Sequence, residues 1–372
     1  MKKMIKKLVV RLLGIMIIIA FLVLGCLFVW RHLLQQSVLS SAQEMVDQGG
    51  TSEVQEVTLG GMKQYIAIEG KRLDQPVCLF LHGGPGLAVP YGISGRNYQE
   101  TLSSHCTVVY WDQRGSGKTY SETEEIESLN YAQLETDAVE LIDYLRDTFK
   151  QDKIYLIGYT WGSVLGLRLA EKIPDQLHAY IGLSQVLSPS LSEKELYHWL
   201  IEEFRMEGET ELAFALKQIG EPPYQSASVY EKFQKLMNQS NAYAKWTDGL
   251  PNVNVLSWIL QVFSSPDLTL SEVYDTLIQA SHEMLNKSEY WEELQHVNLL
   301  EEVNEVNIPV YFASGVNDYI CSTELLKTWL EKLQAPQKEF LLLEESAHYF
   351  STNDEKEIYE WLKEVIEDSS SK

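Results

Sequence analysis

The sequence predicts an α/β fold, a mostly parallel sheet flanked by helices and interrupted by a helical insertion. Three observations predict it. Short, continuous apolar runs of the kind buried on both faces of a sheet alternate with stretches of helical spacing over residues 77–183, and again over 310–366. Between about Val186 and Leu300 this alternation stops, and Glu, Lys, Leu and aromatic residues in helical stretches take over. Finally, Gly158-Tyr159-Thr160-Trp161-Gly162-Ser163 joins a strand-like run to a helix-like run. Its glycines stand two before and two after one hydroxyl residue, the layout of a nucleophile elbow.

The 372 residues suffice for a sizeable core, and they carry 53 acidic against 30 basic side chains. Six of the basic ones (Lys2, Lys3, Lys6, Lys7, Arg11, Arg31) fall among the first 31 positions, where no acid occurs, which leaves 24 basic against 53 acidic residues in the remainder. A body this acidic repels phosphates and argues against a nucleic-acid partner. Leu12 to Trp30 is an uncharged, almost wholly apolar run of 19 residues. As a helix it spans ~28 Å, close to the thickness of a hydrocarbon core. Five basic residues precede the run, which puts the N-terminus in the cytoplasm and everything after Trp30 outside.

A cleaved signal peptide would have a shorter apolar core and small residues soon after it, but the only candidate, around Ser40-Ser41-Ala42, lies far from the apolar end. A lipoprotein site at Val23-Leu24-Gly25-Cys26 is followed by further apolar residues through Trp30. The reading is an uncleaved single-pass anchor in the cell membrane, with tip and span over 1–34 and a linker over 35–52.

From Glu53 the pattern is strand-like. Val54 to Leu59, then Gly60-Gly61, then Lys63 to Ile68 read as a hairpin. Val77 to Leu81 and Thr107 to Trp111 read as strands buried on two faces. Asn130 to Phe149 has apolar residues at helical spacing, with Asn130 as N-cap and Gln133 in the capping-box position. The elbow strand and helix follow, then a strand over Ala179 to Leu183. This first part of the core covers 53–185. A helical cap over 186–300 contains helical stretches at 192–206, 209–219, 227–240 and 271–287. The second part of the core, 301–372, has strands at Val310 to Ser314 and Glu339 to Leu343, each followed by a helix.

The residues that carry chemistry sit where these strands end. His82-Gly83-Gly84-Pro85-Gly86 comes directly off a strand, where glycine N–H groups can converge on an oxyanion. In Trp111-Asp112-Gln113-Arg114-Gly115-Ser116-Gly117-Lys118-Thr119 the last three residues imitate a phosphate-binding loop, but its first glycine would fall at Asp112, which excludes nucleotide binding. Asp112 and Arg114 are expected to form an internal salt bridge. Asp318 and His348 each lie just past a strand, after the elbow in chain order. Thr160 as nucleophile, His348 as general base and Asp318 as the group that orients it make a triad. The other histidines (His32, His105, His178, His198, His282, His296) lack metal-ligand spacing, and no HExxH pair occurs. Cys26, Cys78, Cys106 and Cys321 read as scattered small apolar residues.

Together these motifs resemble the proline iminopeptidase branch of the α/β-hydrolase superfamily, over about residues 53–366. The paired HGGPG (82–86) and DQRGSG (112–117) loops carry the resemblance. It implies an eight-stranded, mostly parallel core under a helical cap, and hydrolysis of small-molecule or short-peptide substrates through an acyl-enzyme, without a cofactor or metal. By position, Gly84 and Trp161 would supply the oxyanion N–H groups. Cap carboxylates hold the substrate's free amine in that branch, and the nearest match to its tryptophan–glutamate pair here is Trp246-Thr247-Asp248.

One residue departs from the pattern: Thr160 stands where the branch has Ser. A β-branched residue is restricted at χ1 and poorly suited to a strained elbow. Two functions are compatible with this, an anchored hydrolase of small peptides, amides or esters, or a catalytically silent member that binds a ligand under its cap.

Overall fold

The computed structural model describes residues 2–97, 101–122, 129–224, 226–247, 250–287 and 290–370. Eight strands form one sheet: β1 (Thr51–Leu59), β2 (Met62–Gly70), β3 (Val77–Leu81), β4 (Thr107–Asp112), β5 (Ile154–Tyr159), β6 (Leu177–Leu183), β7 (Val310–Gly315) and β8 (Lys338–Leu343). Their spatial order is β1-β2-β4-β3-β5-β6-β7-β8. β2 runs antiparallel to β1 and to β4, and the remaining neighbours are parallel.

The apolar runs form central strands because both faces of the sheet are covered. On one face Leu79, Leu81 and Leu156 pack with Leu134 and Leu141 of the helix Tyr131–Phe149 and with Val164 and Leu167 of the helix Gly162–Lys172. On the other, Phe80, Tyr155 and Ile157 pack with Ile358 and Leu362 of the closing helix Thr352–Ser370. The register brings the strand ends level. Leu81 lies opposite Gly158, and Tyr159 opposite Leu183, which in turn faces Ala313. The strands therefore end on one line, and the loops beyond them emerge side by side.

Between β6 and β7 the chain forms helices over Pro189–Met206, Thr210–Ile219, Ala227–Met237 and Val255–Ser264. Leu270–Tyr274 then passes through a π turn at Asp275–Gln279 into Ala280–Lys287, followed by Tyr290–His296 and Leu299–Glu302. A two-residue hairpin pairs Trp246–Thr247 with Leu250–Pro251. Asp248, part of the expected amine-binding match, lies outside the described residues.

At the N-terminus a single helix runs from Lys2 to Asp47. It is the one helix among the described residues long and apolar enough to cross a membrane. Its apolar run is exposed, Phe21 by 70%. The segment expected as a linker is helical to Asp47 and packs on the body, with Ala42 and Met45 buried.

One expected contact is replaced by another. Arg114 does not pair with Asp112; its guanidinium binds both carboxylate oxygens of Asp137, at 2.8 and 3.0 Å, and the carbonyls of Leu59 and Gly60. Asp112 instead turns inward, where its carboxylate accepts from the N–H groups of Ile93 (2.7 Å) and Lys118 (2.6 Å). Burial pushes its pKa up to about 7. The side chains two residues apart at the strand end leave on different headings, and the helix Tyr131–Phe149 supplies the arginine's partner.

Candidate active site

The elbow is built by close approach. A β-carbon on Gly162 would run into the carbonyls of Leu81 and His82, so only glycine lets the helix start so near β3. Thr160, at the apex, has φ +43°, a left-handed conformation that costs a β-branched residue on the order of 1–3 kcal/mol. Its backbone is fixed from both sides. The Thr160 N–H donates to Leu183 O at 2.8 Å, and Thr160 O accepts from the Ser163 N–H at 2.9 Å and from the Ser163 hydroxyl.

The three sequence-predicted residues meet at this apex. Thr160 Oγ1 lies 3.3 Å from His348 Nε2, and His348 Nδ1 lies 3.2 and 3.1 Å from the two carboxylate oxygens of Asp318. With Nδ1–H donating to the carboxylate, Nε2 is left as the acceptor for the Thr160 hydroxyl. Asp318 also accepts from the N–H groups of Ile320 (3.0 Å) and Cys321 (2.9 Å). Burial raises its pKa, but the charge and hydrogen bond of His348, the Cys321 N–H and the Ser184 hydroxyl outweigh it, and the carboxyl is held below its ordinary value. Asp318 and His348 are both buried, whereas Thr160 is half-buried at the floor of a cavity of about 330 Å³.

Gly83, Gly84 and Trp161 border the same cavity, so the sequence-predicted oxyanion loop and the start of the elbow helix face one space. The two glycine-rich motifs are joined beneath it. His82 Nδ1 contacts Gly83 O at 2.7 Å, and His82 Nε2 accepts from the Gln113 N–H at 3.3 Å. Burial lowers the pKa of His82 to about 4, so the ring is neutral and one nitrogen is free to accept. That link gives a physical reason for the HGGPG and DQRGSG motifs to occur together.

Two residues in the site carry no mark in the sequence. Cys321 places its thiol 3.9 Å from Thr160 Oγ1, and its donor atom lies within 4.8 Å of those of Asp318 and His348. The Asp318 carboxylate is already committed to the imidazole and two N–H groups, so the cluster reads as a triad with a thiol beside it. Glu193, on the helix Pro189–Met206, borders the cavity while buried, and its Oε2 has no hydrogen-bond partner. Burial pushes its pKa up to about 8. Glutamate at helical spacing carries no signal of such a position; only the fold reveals it. Trp246 and Thr247 place their backbones in the small hairpin.

Residues 76–352 match the alpha/beta hydrolase fold family. The probable aminopeptidase YbaC of Bacillus subtilis is 30% identical over 298 residues, which is 79% of this chain and 90% of that protein. The proline iminopeptidase of Thermoplasma volcanium is 28% identical over 192 residues, 48% of this chain and 61% of that one. The crystal structure of the Mycobacterium smegmatis proline iminopeptidase superposes with a TM-score of 0.58 over 85% of this chain and 98% of that one, at 15% identity, a likeness of fold. By its sequence match, its sheet and its elbow, this chain belongs to the α/β-hydrolase fold family, as a hydrolase related to aminopeptidases and proline iminopeptidases.

Proposed function

We propose that the protein is a membrane-anchored hydrolase that cleaves small peptide, amide or ester substrates through an acyl-enzyme on Thr160. The observation that carries this reading is the continuous contact from Thr160 Oγ1 through His348 to Asp318 at the floor of the cavity. Thr160 Oγ1 attacks the scissile carbonyl carbon while His348 Nε2 takes its proton. The negative charge on the former carbonyl oxygen is met by the N–H groups of Gly84 and Trp161. Collapse of this intermediate breaks the bond to the leaving amine or alcohol, which receives the proton from His348. Water, deprotonated by the same nitrogen, then releases the acid and restores Thr160. Asp318 fixes the imidazole tautomer and stabilises its cationic form. No cofactor enters these steps. In this reading residues 186–300 act as the cap, and the positive-inside rule places the hydrolase body outside the cytoplasmic membrane.

A second reading, a silent ligand-binding member, draws on the left-handed backbone of Thr160 and on the β-branching that restricts its χ1. Labelling by a fluorophosphonate probe separates the two. On the hydrolytic reading the natural protein takes up label, His348→Ala abolishes it, and Thr160→Ser raises its rate. Label on Thr160→Ser alone would make the natural protein a binder.

A further inference from the structure

The cavity above Thr160 has an apolar mouth. Ile259 borders the cavity and is also 44% exposed. One turn earlier on the helix Val255–Ser264 stands Leu256, 67% exposed, so the lining continues onto the outside of that helix. The neighbouring helical segment continues it further. Leu277 borders the cavity, and beside it Ile278 and Tyr274 are 55% and 51% exposed, one turn apart on one face. An apolar rim around an apolar cavity marks a place that meets an apolar phase.

The anchor says which phase. Residues 265–269 join the two rim helices, and this connection is what the membrane helix holds. Arg31 directly follows the apolar run. It donates from Nε to Phe263 O at 2.8 Å and from Nη2 to Leu268 O at 2.6 Å. Gln35 donates to Ser265 O at 3.0 Å, and the ring of Trp30 lies 5.7 Å from that of Phe263. From the body side, Arg96 binds the Asp267 carboxylate at 3.0 Å and Lys118 donates to Asp267 O at 3.0 Å. Trp and Arg at the end of an apolar span settle at the membrane–water interface. The held connection therefore lies at the bilayer surface. Ile259 stands four residues before Phe263, ~6 Å along the helix, well within the length of one acyl chain.

We propose that the substrate is an amphiphile taken from the bilayer, an acyl ester or amide whose hydrocarbon chain passes over Ile259 and Ile278 into the cavity and sets its carbonyl at Thr160. This rests on the hydrolytic reading of the site and on the anchor spanning the membrane. The interior suits such a chain. Leu196, Phe233, Met237 and Leu294 line the cavity on the cap side. The carboxyl among them, Glu193, is held mostly protonated at neutral pH by burial, so it adds no full charge to the lining.

The test uses the full chain in phosphatidylcholine vesicles. The p-nitrophenyl decanoate ester should be cleaved at least about tenfold faster than the acetate, as kcat/KM, and Ile259→Glu should lower that ratio about tenfold while Ile259→Leu preserves it. A ratio near one in the natural protein, or a prolyl-arylamide preferred over both esters, would overturn the proposal and leave the hydrolytic reading standing. Binding is read apart from turnover, with a diazirine-tailed decyl glycerol ether that cannot be hydrolysed. Crosslinks to the peptides carrying Phe233, Met237 and Leu285, weakened in Ile259→Glu, support it. Crosslinks confined to residues 12–30 overturn it. Cavity crosslinks without turnover or fluorophosphonate label would sink the hydrolytic reading and uphold the ligand class.

Discussion

The methyl group of Thr160 fills the space that a β-carbon on Gly83 would need. With that methyl gone, the next atoms around the added carbon belong to Tyr159, at 3.4 and 3.5 Å, which is ordinary contact. The apex of the elbow and the glycine loop are therefore fitted to one another, and the methyl of Thr160 is matched by the absence of a side chain across from it. Gly83→Ala should destabilise the natural protein by about 1–3 kcal/mol through overpacking. In the Thr160→Ser background the cost should fall by about 1 kcal/mol or more, a coupling that a double-mutant cycle of urea unfolding measures. Additive costs would show that the two positions do not meet.

Asp318 predicts both a rate and an acid limb. Asp318→Asn leaves the shape intact but presents an amide to His348 Nδ1, and on the triad reading the labelling rate should drop about 10⁴-fold. The carboxyl is held below its ordinary value in the folded chain, so it contributes stability above about pH 4, and that contribution is lost as pH falls toward the folded value. Acid unfolding of Asp318→Asn should accordingly be shallower below about pH 4 than that of the natural protein.

Glu193 works in the opposite sense. Its folded pKa, raised to about 8, lies above that of the unfolded chain. The stability linked to it is complete below about pH 4 and lost as pH rises through about 8. Tyr224 and Tyr230 are close enough to sense its charge, and neither neutralises it. Glu193→Gln removes this titration. Chemical denaturation between pH 5 and 9 should show the natural protein weakening with pH relative to the variant, and parallel curves would place Glu193 in a wetter setting than its burial indicates.

Arg31 closes the C-terminal end of a rim helix from outside the body, supplying donors to the carbonyls of Phe263 and Leu268. Arg31→Ala leaves those acceptors to solvent and should cost about 1–3 kcal/mol locally. Hydrogen exchange over residues 255–268 should quicken about tenfold or more, while β5 keeps its protection. Unchanged exchange over 255–268 would mean that the N-terminal helix and the helix Val255–Ser264 are held by other contacts.

Much of the fold is legible in the residues. The central strands can be read because they are buried on both faces and so are apolar without interruption. Thr160, Asp318 and His348 can be read because each comes at or just past the end of such a run, and the register then places their loops side by side. The helix Val255–Ser264 cannot. Its sequence is apolar nearly all round, bounded by Asn254 and by Ser265-Pro266, and periodicity alone does not separate such a run from a strand. Its N-cap, where Asn254 accepts from the Ser257 N–H at 3.2 Å, is the signal that could reveal it. The partner of Arg114 is hidden because Asp112 is near in sequence, whereas Asp137 arrives on a helix 23 residues on. Cys321 and Glu193 stand in contexts that any surface loop or helix could have.

The order of parts along the chain also sets when the site exists. The glycine loop and Thr160 lie in the first half, while the imidazole that would activate the hydroxyl comes after β8, the strand at the outer end of the sheet. In chain order the apolar helix Lys2–Asp47 precedes both, and His348 follows them. On the hydrolytic reading, the Thr160 hydroxyl stays unactivated until Lys338–Leu343 pairs with Val310–Gly315 and the loop beyond brings His348 beside it. Any fragment that ends before this pairing then keeps the apolar N-terminal helix but lacks the imidazole, and on the same reading is inert.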